Sequence, residues 1–195
     1  MTSKPLPTFR FAGGACIAQA QPRPTSPVTL DSPALLVMTD LAEVRAATVY
    51  ADRSLDEAEQ TMIREGVRML FVVSTAPCVE GIVSAAMLHG DKPVTLVQQR
   101  GVRRSELSVA DVMIALADLD VLDLDALGRA TVGDVAALFQ RFGVHHLLVA
   151  ESSTPHGPAR IRGVISHTQV ERQLGAPLPA VAVARTFAEI EHALA

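Results

Sequence analysis

Hydrophobic and polar positions along this chain follow two alternating rhythms, and the whole pattern occurs twice. Leu55, Ala58, Met62 and Ile63 recur at the spacing of one helical face, as do Val132, Val135, Ala136, Phe139 and Phe142. A stripe of that period predicts an amphipathic helix packed on a core. The first helix opens on a capping-box pattern, Ser54 with Glu57, and the second on a similar one, Thr131 with Asp134. In such a box each partner satisfies an otherwise unpaired backbone N–H. Each helix closes on a glycine, Gly66 or Gly143, where a left-handed stop is expected.

After each glycine comes a nearly continuous apolar run, "RMLFVV" at 68–73 and "HHLLVA" at 145–150. Runs without polar alternation predict strands covered on both faces. A turn follows, "STAPC" in the first copy and the longer "ESSTPHGPAR" in the second. The next strand, "VEGIVS" or "IRGVIS", ends in a serine, Ser84 or Ser166, at the N-cap of a brief helix. Each unit therefore reads strand–helix–strand–strand–helix over about 60 residues, too little for a secure core alone, so the two should pack together.

Three matches fix the duplication. "VMTDL" at 37–41 returns as "VMIAL" at 112–116, an offset of 75; "EGVRMLFVV" at 65–73 as "FGVHHLLVA" at 142–150, an offset of 77; "GIVS" at 81–84 as "GVIS" at 163–166, an offset of 82. A growing offset with preserved order is what loop insertions leave in diverging repeats. The expected organisation is a loose proline-rich arm over 1–33, a first repeat with its linker over 34–105, a second repeat over 106–175 and a tail over 176–195. Prolines 5, 7, 22, 24, 27 and 33 break any extended helix in the arm. The tail segment "TFAEIEHALA" opens on Thr186 and Glu189 and sets Phe187, Ile190 and Leu194 on one face. It predicts an amphipathic helix docked on the body or on a dimer mate.

Composition narrows the function classes. Apolar residues make up 49% of the 195, and with no Trp and one Tyr the core must be built from Val, Leu, Ile, Ala and Met. So few rings offer little surface for stacking single-stranded bases. The net charge of −4 supplies no global attraction to nucleic acid or anionic membrane. The local cluster "RGVRR", with Arg100, Arg103 and Arg104, reads as a solvated helix face, an anion contact being the alternative. Cys16 and Cys78 have no motif spacing, which excludes a cysteine-based zinc site and fits a reducing compartment. No apolar run approaches the roughly 18 residues of a membrane span, and "FAGGACIAQAQ", interrupted by two glycines and a glutamine, makes a poor signal peptide. The cytoplasm is the expected location. Neither a nucleophilic triad, a Walker loop, a G-x-G-x-x-G nor a paired-carboxylate site is recognisable, so an enzyme is not expected.

The ordered set "VMTDL…TVYADRSLDEAEQTMIREGVRMLFVV…GIVS" and "VADVM…TVGDVAALFQRFGVHHLLVA…GVISHTQV", over roughly residues 35 to 174, resembles the tandem CBS-domain pair, or Bateman module. The resemblance implies an α/β (α+β) fold of two CBS repeats related by a pseudo-twofold axis, each a small sheet with two packed helices. It looks like a standalone CBS-pair protein. The implied function is regulatory: an adenine-containing ligand (AMP, ADP, ATP, S-adenosylmethionine or NAD) bound between the repeats, signalling through an interface with an unidentified regulated protein. A homodimer is also implied, and neither a catalytic cofactor nor a metal. The alternative is a scaffold or dimerisation module whose clefts have lost their ligand.

In nucleotide-binding members of that family the junction reads roughly G-h-h-[ST]-x-x-[DN], with h apolar. The hydroxyl and the helix N-terminus face phosphate, and the carboxylate holds the ribose hydroxyls. Unpaired N–H groups and the helix dipole suit an anion. Here Ser84 and Ser166 are kept, but Met87 and Gln169 stand where a carboxylate is expected. Losing a charged acceptor weakens a nucleotide by roughly 10- to 150-fold.

The candidate ligand-binding residues follow, each with a plainer reading. Ser84 and Ser166 are phosphate contacts or simple N-caps; Gln169 is a neutral acceptor or completes an S-x-x-Q capping box with Ser166. Arg68 and the pair His145–His146 stand where the resemblance places a basic residue near phosphate, or are solvated strand ends. Adjacent histidines on a strand point to opposite faces and cannot chelate one metal together. Thr48, Val49 and Tyr50 lie where the resemblance wraps the adenine. Asp123 and Asp125, in the second copy's insertion, are substitutes for the missing carboxylate or part of a solvated loop. The cleft lined by the second copy is favoured, because Gln169 retains polarity.

Overall fold

Two four-stranded sheets carry the two repeats in a computed structural model that describes residues 27–74, 78–152 and 159–178. Most of the arm, and the tail from residue 179 with its expected helix, lie outside the described residues. The first repeat contributes β1 (Thr39–Asp40), β2 (Thr48–Tyr50), α1 (Leu55–Glu65), β3 (Met69–Val73), β4 (Val79–Ser84), α2 (Ala85–His89) and α3 (Asp91–Arg100). The second contributes α4 (Val109–Val112), β5 (Ile114–Ala115), β6 (Val121–Asp123), α5 (Leu124–Leu127), α6 (Val132–Phe142), β7 (His146–Ser152), β8 (Ala159–Ser166) and α7 (His167–Leu174).

Local chemistry explains the two long helices. Ser54 Oγ accepts from Glu57 N at 3.2 Å while Ser54 N donates to Glu57 Oε2 at 2.9 Å. Thr131 and Asp134 repeat this, and Ser108 with Asp111 caps α4. Because a backbone N–H at each N-cap donates to the charged form, Glu57, Asp111 and Asp134 are held below the usual carboxylate range. Gly66 and Gly143 end α1 and α6 at φ of 66° and 63°, a conformation that favours glycine. Two expected core positions turn outward. Ile63 is 67% exposed, one residue and about 100° round the helix from buried Met62, and Phe142, at the last position of α6, lies under the Arg141 guanidinium.

In each repeat the first two full strands are parallel, joined through the long helix, and the third is antiparallel: β2 pairs with β3, and β3 with β4; β6 pairs with β7, and β7 with β8. The fourth strand is exchanged. β1 pairs antiparallel with β8, and β5 pairs antiparallel with β4, so the matching segments at 37–41 and 112–116 each complete the other repeat's sheet. Arg162 clamps the first exchange, its Nε donating to Asp40 Oδ1 at 2.9 Å and Nη2 to Oδ2 at 2.5 Å.

The apolar strands are covered on both faces. Leu70 and Val72 of β3 face the first repeat's helices; Met69 and Phe71 face the other way. Leu147 and Val149 of β7 face the second repeat's helices, and Leu148 joins Met69, Phe71 and Ile82 between the sheets. This middle layer is what two small repeats gain by pairing. The "RGVRR" cluster is spoken for: Arg100 pairs with Asp111 at 2.6 Å, Arg103 with Glu106 at 3.4 Å, and Arg104 with Asp56 and the Leu88 carbonyl. Among the described residues no helix is long and apolar enough to cross a membrane.

Candidate functional site

The exchange of β1 opens a cleft between the repeats. Its floor is the N-terminal end of β3 and β7, one wall is the segment from β1 to β2, and the other is the junction of β8 with α7. The cavity is about 320 Å³, within the range of small-molecule sites. Phe71, Met69, Val67 and Val164 give it an apolar lining, with Ala46 and Ala47 on the β1–β2 segment. Its polar groups are Thr39, Ser166, Thr168, Gln169, His146, Arg45, Arg68 and Arg172.

Four expected residues meet here: Ser166, Gln169, His146 and Arg68. Ser166 is the N-cap of α7, but its hydroxyl caps no backbone N–H. The S-x-x-Q capping box does not form, because the Gln169 side-chain carbonyl accepts from Arg172 Nη1 at 3.4 Å instead. Ser166 Oγ is thus left to face the cleft. His146 is partly buried on β7, and burial, reinforced by the charges of His145 and Arg68, pushes its imidazole down to about 4. Its neighbour His145 is exposed, its ring 5.9 Å edge-on from His167, so the two side chains diverge as alternation requires.

Ser84 lies one step away. It lines an adjoining cavity of about 310 Å³ between α2 and α7, which shares Arg68, His146 and Ser166 with the cleft. Its hydroxyl is engaged as an N-cap, accepting from Met87 N at 3.4 Å, while the Met87 sulfur folds back to within 3.4 Å of Ser84 N.

Thr48, Val49, Tyr50, Asp123 and Asp125 are not brought to the cleft. Thr48 and Val49 sit in β2, where Val49 is buried in the first repeat's core, and both line an open groove along α1; Ala46 and Ala47, just before β2, take the cleft wall instead. Asp123 is the N-cap of α5, its Oδ1 accepting from Ala126 N at 2.8 Å. Asp125 lines a broader groove on the far side of Gln169. Among the described residues, no group of His, Cys, Asp and Glu could hold a metal ion.

Arg172 and Thr168 escaped the sequence reading. Both follow from α7 itself, since Arg172 is three residues after Gln169 and four after Thr168, placing all three on one helical face. Arg45, on the exposed segment between β1 and β2, had no periodic signal.

The charge pattern of the cleft is distinctive. Arg53, Arg64, Arg100, Arg103, Arg104 and Arg162 all pair with carboxylates. Arg45, Arg68 and Arg172 have no carboxylate partner among the described residues, nor have Arg129, Arg141 and Arg160 elsewhere, but in the cleft three such arginines meet a lining that includes no acidic residue. In a chain of net charge −4 this gathers three exposed guanidiniums around one concavity.

Comparison with known proteins places the architecture. Residues 37–88 match the CBS-domain family model. An uncharacterized conserved protein from Pyrococcus horikoshii has a similar structure, with a TM-score of 0.53 at 17% identity, covering 78% of this chain and 99% of the other. The Arabidopsis thaliana CBS-pair protein CBSX2, solved in complex with AMP, gives a TM-score of 0.50 at 18% identity over 72% of this chain and 93% of its own. A CBS-domain-containing protein from Agrobacterium tumefaciens gives a TM-score of 0.50 at 21% identity, over 68% and 88%. No curated protein matches the sequence.

Proposed function

Because residues 37–88 match the CBS-domain family model and the fold is that of CBS-pair structures, we propose that this chain is a tandem CBS-domain protein, a regulatory sensor that binds an adenine nucleotide or a related metabolite in the cleft between its repeats. The observation that carries this reading is the uncapped Ser166 hydroxyl at the N-terminus of α7, facing a cleft with three guanidiniums and no carboxylate. A phosphate there meets backbone N–H groups, a hydroxyl and the Arg68 and His146 side chains, while the apolar lining of Val67, Phe71 and Val164 takes a flat base. The AMP bound to CBSX2 supports the ligand class. Occupation bridges β3 of one repeat to α7 of the other, which is how a bound ligand would set their relative packing and signal to a regulated partner. Catalysis plays no part in this reading. A homodimer acting in the cytoplasm belongs to the same proposal. Ile63 and Val94, 67% and 57% exposed on α1 and α3, are apolar side chains that such an interface would cover.

Thermal unfolding with AMP, ADP, ATP, S-adenosylmethionine and NAD tests it. A ligand at a hundred times its dissociation constant stabilises by about 2.7 kcal/mol, a rise of roughly 5–10 °C for a chain of this size. Ser166→Ala should abolish the rise yet leave the ligand-free midpoint in place, because the hydroxyl caps nothing. A flat response to every ligand overturns the proposal in favour of a scaffold. The Met87 sulfur folded onto Ser84 N is the observation that favours that second reading in the first copy.

A further inference from the structure

The polar groups of the cleft form two separate stations. At one end stand Ser166, His146 and Arg68, gathered where β3, β7 and the start of α7 converge. At the other stands Arg172, its backbone about 9 Å further along α7 at 1.5 Å of rise per residue and its guanidinium reaching back to Gln169. Gln169 lies between them, its carbonyl already accepting from Arg172, so it offers the cleft its amide N–H groups and one remaining neutral lone pair. A neutral sugar hydroxyl pair gains little from this side: it meets a guanidinium and an amide donor and no charged acceptor. A second anion gains a great deal, because Arg172 has no carboxylate partner among the described residues, and anions are what a guanidinium fork binds best.

We infer that the cleft is built for a ligand with two separated anionic groups, a nucleotide carrying one phosphate at the Ser166 end and a second on its sugar, directed at Arg172. The inference rests on the nucleotide reading of the cleft and specifies which nucleotides it takes. Spacing, and not total charge, is the discriminating feature.

Titration calorimetry on the full chain at near-physiological salt, with adenosine, AMP, ADP and adenosine 3′,5′-bisphosphate as probes, decides it. The bisphosphate is expected to bind at least tenfold more tightly than AMP, about what one charge-assisted contact at an exposed site supplies. ADP, with the same added phosphate attached to the first, should fall short of it. Arg172→Gln should bring the bisphosphate-to-AMP ratio close to one. Arg160→Gln, the same charge change on β8 outside the cleft lining, should leave that ratio intact. Equal affinities for AMP and the bisphosphate overturn this inference while sparing the nucleotide reading. So does a gain matched by ADP, or one lost equally in both variants, since that is non-specific attraction. Failure of all four probes to bind overturns both.

Discussion

The exchanged strands make a quantitative demand on two glycines. Gly81 of β4 lies against β5, and a Cβ there would stand 2.1 Å from the Ile114 carbonyl oxygen and 3.1 Å from Ala115 Cα. Neither is a side-chain atom that can swing aside, so Gly81→Ala must push β5 away by about an ångström. β5 has only two residues, paired at Gly81 with Ala115 and Ile82 with Ile114, and cannot absorb that shift without unzipping. Lost ladder hydrogen bonds at about 1 kcal/mol each, added to the usual 1–3 kcal/mol for overpacking, predict a loss of about 3–4 kcal/mol. Gly163 is the equivalent position in β8, yet its Cβ would meet the Met38 sulfur at 2.4 Å and Thr39 O at 3.1 Å. A methionine side chain can rotate away, so Gly163→Ala should cost about 1–2 kcal/mol. At roughly 2–4 °C per kcal/mol, thermal unfolding should show Gly81→Ala down by about 6–16 °C and Gly163→Ala by about 2–8 °C. An equal loss in the two variants, or a larger one at Gly163, would refute the assignment of β5 as the rigid partner.

His146 sets an acid dependence: its folded value, about 4, lies below the unfolded 6.5, so its contribution is complete above pH 6.5 and drains away as pH falls towards 4. The loss should reach about 2–3 kcal/mol, seen as a falling urea midpoint that flattens in His146→Asn. By the same linkage an anion at Arg68 and His146 raises that value, so nucleotide affinity should increase as pH drops from 7 to 5.5. Asp40→Ala leaves the partly buried Arg162 with only Glu151, 3.7 Å away, and should lower stability by about 1–2 kcal/mol, with early hydrogen exchange at β1. Thr131→Ala removes a formed cap and should cost about 1 kcal/mol, whereas Gln169→Ala, which breaks no capping box, should leave the ligand-free midpoint within experimental scatter.

What the sequence disclosed depended on range. Capping boxes and glycine stops are four-residue signals, and they stand where the pattern put them. The all-apolar strands were recognisable as doubly covered, but what covers their second face is the other repeat, a relation no local period encodes. The exchange of β1 and β5 is of that kind: the match of "VMTDL" with "VMIAL" showed equivalence without showing which sheet each joins. Ser166, Gln169, His146 and Arg68 each sit at a fixed distance from a strand end, and the structure brings the four to one cleft. Ala46 and Ala47, two residues before Thr48 and Val49, line the cleft, and the extended run before β2 gives no mark in sequence of where the strand begins. An Asp before a short helix is as good an N-cap as a ligand acceptor, and Asp123 accepts from the backbone N–H of Ala126.

The repeat correspondence also explains why the two clefts differ. Carrying the offset of 82 through the junction sets Ala86 against Thr168, Met87 against Gln169 and Gly90 against Arg172. Every polar group that α7 turns to the cleft is matched by an apolar or absent side chain on α2. The offset of 75 sets Ile114 against Thr39 and Leu116 against Leu41, and Ile114 and Leu116, with Leu119, pack onto the layer between the sheets. Apolar side chains thus occupy the first-copy counterpart of the cleft, and burying them adds stability where a ligand would otherwise have to be bound. A duplicated fold with one such half needs no ligand to hold its repeats together. On the proposed reading the other half keeps Arg45, Arg68 and Arg172 exposed and without carboxylate partners, where an arriving anion would stabilise the fold by mass action.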